Sequence, residues 1–154
     1  MPVLPEPRGP HDPDRVIMPA FLGACPSLEE AWPEERERWR SIVPGPRADD
    51  EPGIDYDLGV LAHHLVWLLE TDRTVEFPAV FAVVERVLVE GDASIRYPVQ
   101  VGLLADLGYI ASGQRGWPFA ARFRAWFGPA TNRAWDELHE MWGTSDSSGN
   151  VPEG

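Results

Sequence analysis

Apolar residues recur at a helical period along most of this chain, and the breaks between the runs fall at proline and glycine. Phe77 to Gly91, FPAVFAVVERVLVEG, carries the fullest pattern. At about 100° per residue, Val80, Phe81, Val83, Val84, Val87 and Leu88 gather on one side. Ala79, Ala82, Glu85, Arg86 and Glu90 occupy the other. Pro78 suits the first helical position, where a missing N–H costs nothing, and Gly91 suits the left-handed residue that follows a helix. The five valines favour a strand by propensity, but the length, the punctuation and the 3.6-residue spacing decide for a helix.

The same reasoning predicts the other elements. Ser27 and Glu30 have capping-box spacing, but Pro33 follows so closely that the regular helix is expected from Pro33 to about Val43. Its stripe is Trp32, Arg36, Trp39 and Val43, and Pro44 and Pro46 end it. Asp55 to Glu70, DYDLGVLAHHLVWLLE, buries Leu58, Leu61, Ala62, Leu65, Leu68 and Leu69. Val60 and Trp67 lie on its reverse face beside His63, so either this helix is covered on two sides or that surface meets a partner. Pro98 to Leu107 is the next helix, with Gly108 as its stop and an extension back to Asp92 if Pro98 kinks it. Pro118 to Phe127 groups Phe119, Phe123, Trp126 and Phe127. The last helix, Ala130 to Trp142, turns Ala134, Trp135, Leu138, Met141 and Trp142 inward and Arg133, Asp136, Glu137 and Glu140 outward.

These elements add up to an all-α fold: one compact domain of about five to six helices, arranged as an antiparallel bundle or stacked helical hairpins. The domain is expected over residues 26–142. A Pro-rich arm precedes it over residues 1–25, extended as far as Asp14 and apolar from Arg15 to Ala24, and a flexible acidic tail follows over 143–154. Eleven of the sixteen prolines lie at or before Pro52, which places the irregular structure early, with Arg47 to Gly53 as a turn-rich acidic linker.

Charge narrows the partners. The net charge of −12 is spread as −5 over Met1 to Gly53, −5 over Ile54 to Trp142 and −2 over the tail. Such a chain is repelled by phosphate backbones and anionic membranes, so neither nucleic acid nor membrane is expected, and a basic protein partner is favoured. No apolar run approaches the ~20 residues that span a bilayer. All thirteen basic residues are Arg, a sign of coding composition rather than of a site. The single cysteine, Cys25, fits a reducing, cytoplasmic setting. Val16 to Cys25, VIMPAFLGAC, offers an exported lipoprotein as the alternative, but its apolar stretch is short, broken by Pro19 and preceded by acidic residues.

Candidate chemistry is sparse. His63 and His64 are adjacent, point about 100° apart on a helix and cannot share an ion in the i, i+4 manner, so no metal or cofactor is expected. There is no nucleophile elbow, phosphate-binding glycine loop or Cys/His signature, so no enzyme activity is expected. His63, Trp67 and Glu70, one turn apart on the same helix, are the place where a cleft would bring a sensor or a small enzyme. His139 beside Trp135 and Trp142 reads as an amphipathic boundary residue. The expected partner-binding residues are Glu85, Glu90 and Asp92 by the third helix, Asp136, Glu137 and Glu140 on the last, and the indoles Trp67 and Trp117.

The runs FPAVFAVVERVLVEGD, VGLLADLGY and FGPATNRAWDELHEMW together resemble a family of small bacterial helical domains of unknown function, some of them similar to immunity proteins encoded near polymorphic toxins. The similarity covers roughly Pro26 to Trp142 and rests on packing residues and turn glycines. It implies a cytoplasmic, non-enzymatic protein that blocks a basic partner through an acidic helical surface, and it implies no particular site residues. A homodimer joined through Trp67 and Val60 is the remaining expectation.

Overall fold

Proline marks the start of several helices in the computed structural model, which describes residues 13–42 and 53–144. Pro13 opens α1 (Pro13–Ala24) and Pro26 opens α2 (Pro26–Ile42). α3 (Ile54–Glu70) starts behind Gly53, and α4 (Phe77–Glu90) carries Pro78 in its first turn. A short α5 (Ala93–Tyr97) runs into a π-helical stretch over Pro98–Leu104 and then into α6 (Ala105–Arg115). α7 (Trp117–Ala120) tightens into a 3-10 segment over Ala121–Trp126, and Pro129 opens α8 (Pro129–Trp142). The described residues contain no strand. The lead before Pro13, the linker between Ile42 and Gly53 and the tail beyond Thr144 lie outside the described residues, and the backbone at Pro13 and Asp14, expected to be extended, is already helical.

α3 is the centre of the domain. Leu58, Leu61, Ala62, Leu65, Leu68 and Leu69 are buried as the periodicity requires, and Val66 joins them. Around α3 pack α1, α2, the π-helical stretch and α6, while α4 packs on α8 and α1. The aromatic core between α4 and the 3-10 segment is a chain of rings: Phe77, Phe81, Phe123 and Trp126 stand with centroids 4.9–5.9 Å apart. Edge-on and tilted geometries of this kind add to the burial of the rings themselves.

Four local expectations change. The apolar part of the arm is a helix, α1, whose Ile17, Met18 and Phe21 are buried in the main core. α2 begins at Pro26 rather than Pro33, because the Cys25 carbonyl accepts from the Leu28 and Glu29 N–H groups and Pro33 is accommodated within the helix. Ser27 makes no capping box with Glu30; it bonds to Glu76 and His64 instead. Gly91 is extended (φ −77°, ψ 154°) rather than left-handed, and its need for glycine is steric, since a Cβ there would stand 2.7 Å from the Val87 carbonyl oxygen.

Gly108 does not stop a helix either. The helix continues to Arg115 and ends at Gly116, whose φ of 89° no side-chain-bearing residue adopts readily. Gly108 is buried where Trp117 and Trp135 cross, with ring atoms 3.2–3.4 Å from the position of a Cβ. Met141 is corrected too: it points outward and is 68% exposed.

Candidate functional site

α2 and α3 are held together at both ends and diverge between them. At one end the Arg36 guanidinium donates to both carboxylate oxygens of Asp57, at 2.8 and 3.2 Å, and Asp57 is fully buried. Beside it Trp39 packs edge-on against Tyr56 with centroids 4.9 Å apart. At the other end Ser27 Oγ lies 2.7 Å from His64 Nε2. Residues early in α2 therefore face residues late in α3, and the pair is antiparallel.

Between these clasps lies a cleft of about 510 Å³, lined by Leu28, Glu35, Arg38, Asp55, Tyr56, Gly59, Val60, His63, His64 and Trp67. Its size falls in the range of small-molecule sites. Leu28 forms an apolar part of the wall, while Trp67 is 45% exposed, with the Arg73 guanidinium 5.0 Å from its ring centroid. Glu35 and Asp55 bring carboxylates to the wall, Glu35 within 3.9 Å of Arg38. Asp106 stands just behind Gly59, 3.8 Å from where a Cβ would be. Burial raises the Asp106 carboxyl above its ordinary value, with His63 opposing and Asp55 reinforcing the shift.

Next to the cleft is a polar cluster built from three segments. Cys25, between α1 and α2, and Ser27, in the first turn of α2, form one segment; His64 of α3 and Glu76, just before α4, are the other two. Glu76 Oε1 accepts from the Cys25 thiol at 3.0 Å and the Ser27 hydroxyl at 2.8 Å, and Glu76 Oε2 accepts from the Ser27 N–H at 3.2 Å. With its hydroxyl proton committed to Glu76, Ser27 Oγ is left to accept from His64 Nε2, which assigns that nitrogen the hydrogen. Burial first, and then the Glu76 carboxylate, push the Cys25 thiol up to about 12. Burial also lowers His64, against the pull of Glu76 and Glu35. Glu76 is lowered because the Cys25 and Ser27 donors outweigh its desolvation. Ser27 and His64 do not form a nucleophilic triad: the carboxylate holds the serine rather than orienting the imidazole, and the thiol keeps its proton.

Of the residues singled out in the sequence, His63 and Trp67 meet in the cleft, while exposed Glu70 is not among its lining residues. Val60 is partly buried in the cleft wall and packed on the core. The acidic candidates are mostly engaged within the fold. Glu85 accepts from the Ala130 and Thr131 N–H groups and the Thr131 hydroxyl at 2.7–3.0 Å. Asp92 accepts from the Ser94 N–H and hydroxyl, Asp136 pairs with Arg124 at 3.1 Å, and Glu137 accepts from Gln100 at 2.8 Å. Glu90 and Glu140 are exposed. Trp117 is half-buried, its ring 4.9 Å from His139 and 5.6 Å from Trp142. His139 is itself buried among three indoles, with Nδ1 2.7 Å from the Thr144 hydroxyl.

Reading the sequence missed Asp57, Tyr56, Ser27 and Glu76. Asp57 is an acid in the first turn of a helix, an ordinary place for one, and Ser27 and Glu76 are 49 residues apart. The one visible signal was an unusual one: a Ser with capping-box spacing placed before a proline that argued against the helix.

The fold and the cleft define an all-α domain with a mixed aromatic and acidic interhelical site. No helix among the described residues is long and apolar enough to cross a membrane. The chain belongs to the DUF7674 family, a domain of unknown function, whose model matches residues 18–143. That match begins inside α1 and ends just after α8, spanning both the cleft and Glu76. Neither a curated protein nor a solved structure matches the chain.

Proposed function

We propose that this domain is a non-enzymatic binding protein that takes a small organic cation in the α2–α3 cleft. The observation that carries the reading is the indole of Trp67, 45% exposed on the wall of a cleft whose other side chains include Glu35 and Asp55. Arg73 already stands 5.0 Å from the Trp67 ring centroid, so a ligand takes the opposite face or displaces that guanidinium; an aromatic face beside carboxylates favours a cation with an apolar body, through cation–π attraction and charge pairing together. Calorimetric titration with arylalkyl ammonium ions and the matching neutral alcohols tests this. Selective binding of the ammonium series, lost in Trp67→Ala, is expected; equal binding of alcohols and ammonium ions, or no binding, overturns it.

A second reading is supported by the net charge of −12: the cleft receives a basic side chain of a protein partner, as an immunity-like protein would. Charge complementarity of this kind speeds association and weakens with salt. Exposed Glu90 and Glu140, outside the cleft, then add to the acidic field that draws the partner in, whereas Glu85 has its carboxylate committed to α8. Co-expression that relieves the toxicity of a basic neighbouring gene product, with salt-sensitive binding weakened by Glu140→Arg, is the outcome that favours this reading over the first. A dimer joined at Trp67 is a different outcome, read by light scattering.

A further inference from the structure

The donor atoms of Cys25, His64 and Glu76 lie within 4.8 Å of one another, though the residues come from three separate segments. A tetrahedral zinc ion, with bonds of about 2.0–2.3 Å to nitrogen, oxygen and sulfur, holds its ligands roughly 3.5 Å apart. Side-chain movements on the scale of an ångström therefore bring the three donors into one coordination sphere. We propose that Cys25, His64 and Glu76 form a binding site for a borderline-soft divalent cation, zinc foremost, with the fourth position open beside Ser27.

The chemistry of the donors suits that class of ion. One thiolate, one imidazole and one carboxylate together neutralise a dication, and sulfur with nitrogen selects against magnesium and calcium. Binding exchanges the cation for the thiol proton, which leaves to solvent; the imidazole keeps its single proton by moving it from Nε2 to Nδ1. Glu76 is already held for the task, because the Ser27 N–H grips Oε2 and leaves Oε1 to the ion. The Ser27 hydroxyl, now between His64 and Glu76, turns aside. Access is through an open hollow lined by Pro26, Ser27, Glu29, Glu30 and Glu76, where two exposed carboxylates draw cations in. This site shares His64 with the cleft but does not depend on what the cleft binds.

The probe is Co²⁺ added to the full, chelator-treated chain, followed by displacement with Zn²⁺. A near-ultraviolet sulfur-to-cobalt charge-transfer band is expected, saturating at one equivalent and abolished by Zn²⁺. Because Cys25 is the chain's one cysteine, such a band reports this site in the wild-type protein without any variant. His64→Ala and Glu76→Gln, checked as folded by circular dichroism, are expected to weaken affinity at least about tenfold, while Ser27→Ala retains it. Absence of the band in the wild type, or unchanged affinity in both folded variants, overturns the proposal.

Discussion

Glu85 of α4 caps α8 by holding Thr131 at two points, its N–H at 2.9 Å and its hydroxyl at 2.7 Å, on the single oxygen Oε1. Oε2 takes the Ala130 N–H at 3.0 Å. α8 has no side-chain cap of its own, since its N-cap is Gly128 and Pro129 is its first residue, so a carboxylate 46 residues before Thr131 supplies one. Glu85→Ala is expected to cost about 1–2 kcal/mol, the upper range for a lost helix cap, measured by urea unfolding. A change within a few tenths would show that the cap is dispensable.

The pH dependence follows from the same bonds. Desolvation tends to raise the Glu85 carboxyl, but the Ala130 and Thr131 donors, with Arg133 assisting, hold it below its ordinary 4.5. A depressed folded value means the cap stabilises fully above the unfolded value and its contribution is lost as pH falls through the folded one. The stability gap between wild type and Glu85→Gln should thus be constant near neutrality and narrow below about pH 4.5. A gap that widens on acidification would contradict the assignment.

Gly128 is coupled to this cap. A Cβ at residue 128 would lie 2.5 Å from the Glu85 carboxyl carbon, so Gly128→Ala must displace the carboxylate. Its cost should be about 1–3 kcal/mol in the wild type and clearly smaller in the Glu85→Ala background. Simple additivity in that double-mutant cycle would separate the two residues.

Arg36 and Asp57 make a different kind of contact. Asp57 is wholly buried and Arg36 only 20% exposed, so Arg36→Met removes a bidentate charged partner from a buried carboxylate and is expected to cost about 3 kcal/mol. Replacing both, Arg36→Met with Asp57→Leu, should recover much of that loss in thermal unfolding. A double variant as unstable as the single one would show that the pair adds net stability beyond compensating its own burial.

Cys25 is 0% exposed. Alkylation by iodoacetamide in native buffer should be slow and should track global unfolding, becoming fast only in denaturant. Rapid native labelling would place the thiol on the surface. The same burial bears on the lipoprotein pattern, since cleavage before Cys25 would delete Ile17, Met18 and Phe21 from the core.

The helices were legible because each records its own burial in a local repeat. Leu58, Leu61 and Leu65 must face one way on any helix, and a helix with that stripe needs cover. Proline placed the starts for an equally local reason, its missing N–H. Local rules misjudged Pro33, Gly91 and Gly108 for different reasons: α2 continues through an internal proline, Gly91 is required by the Val87 carbonyl one turn earlier in its own helix, and Gly108 by two indoles from other elements, which tertiary packing alone decides.

What the sequence by itself determined is therefore the all-α class, the buried stripe of α3 and most of the inward residues, since these follow from the period of apolar side chains. Only the tertiary structure decided which polar groups meet. Glu76 reaching Cys25 across 51 positions, Glu85 capping α8 and Arg36 paired with buried Asp57 leave no periodic trace. A hydrogen bond or an ion pair needs only two or three atoms brought together, and chain folding can supply them from any distance along the sequence.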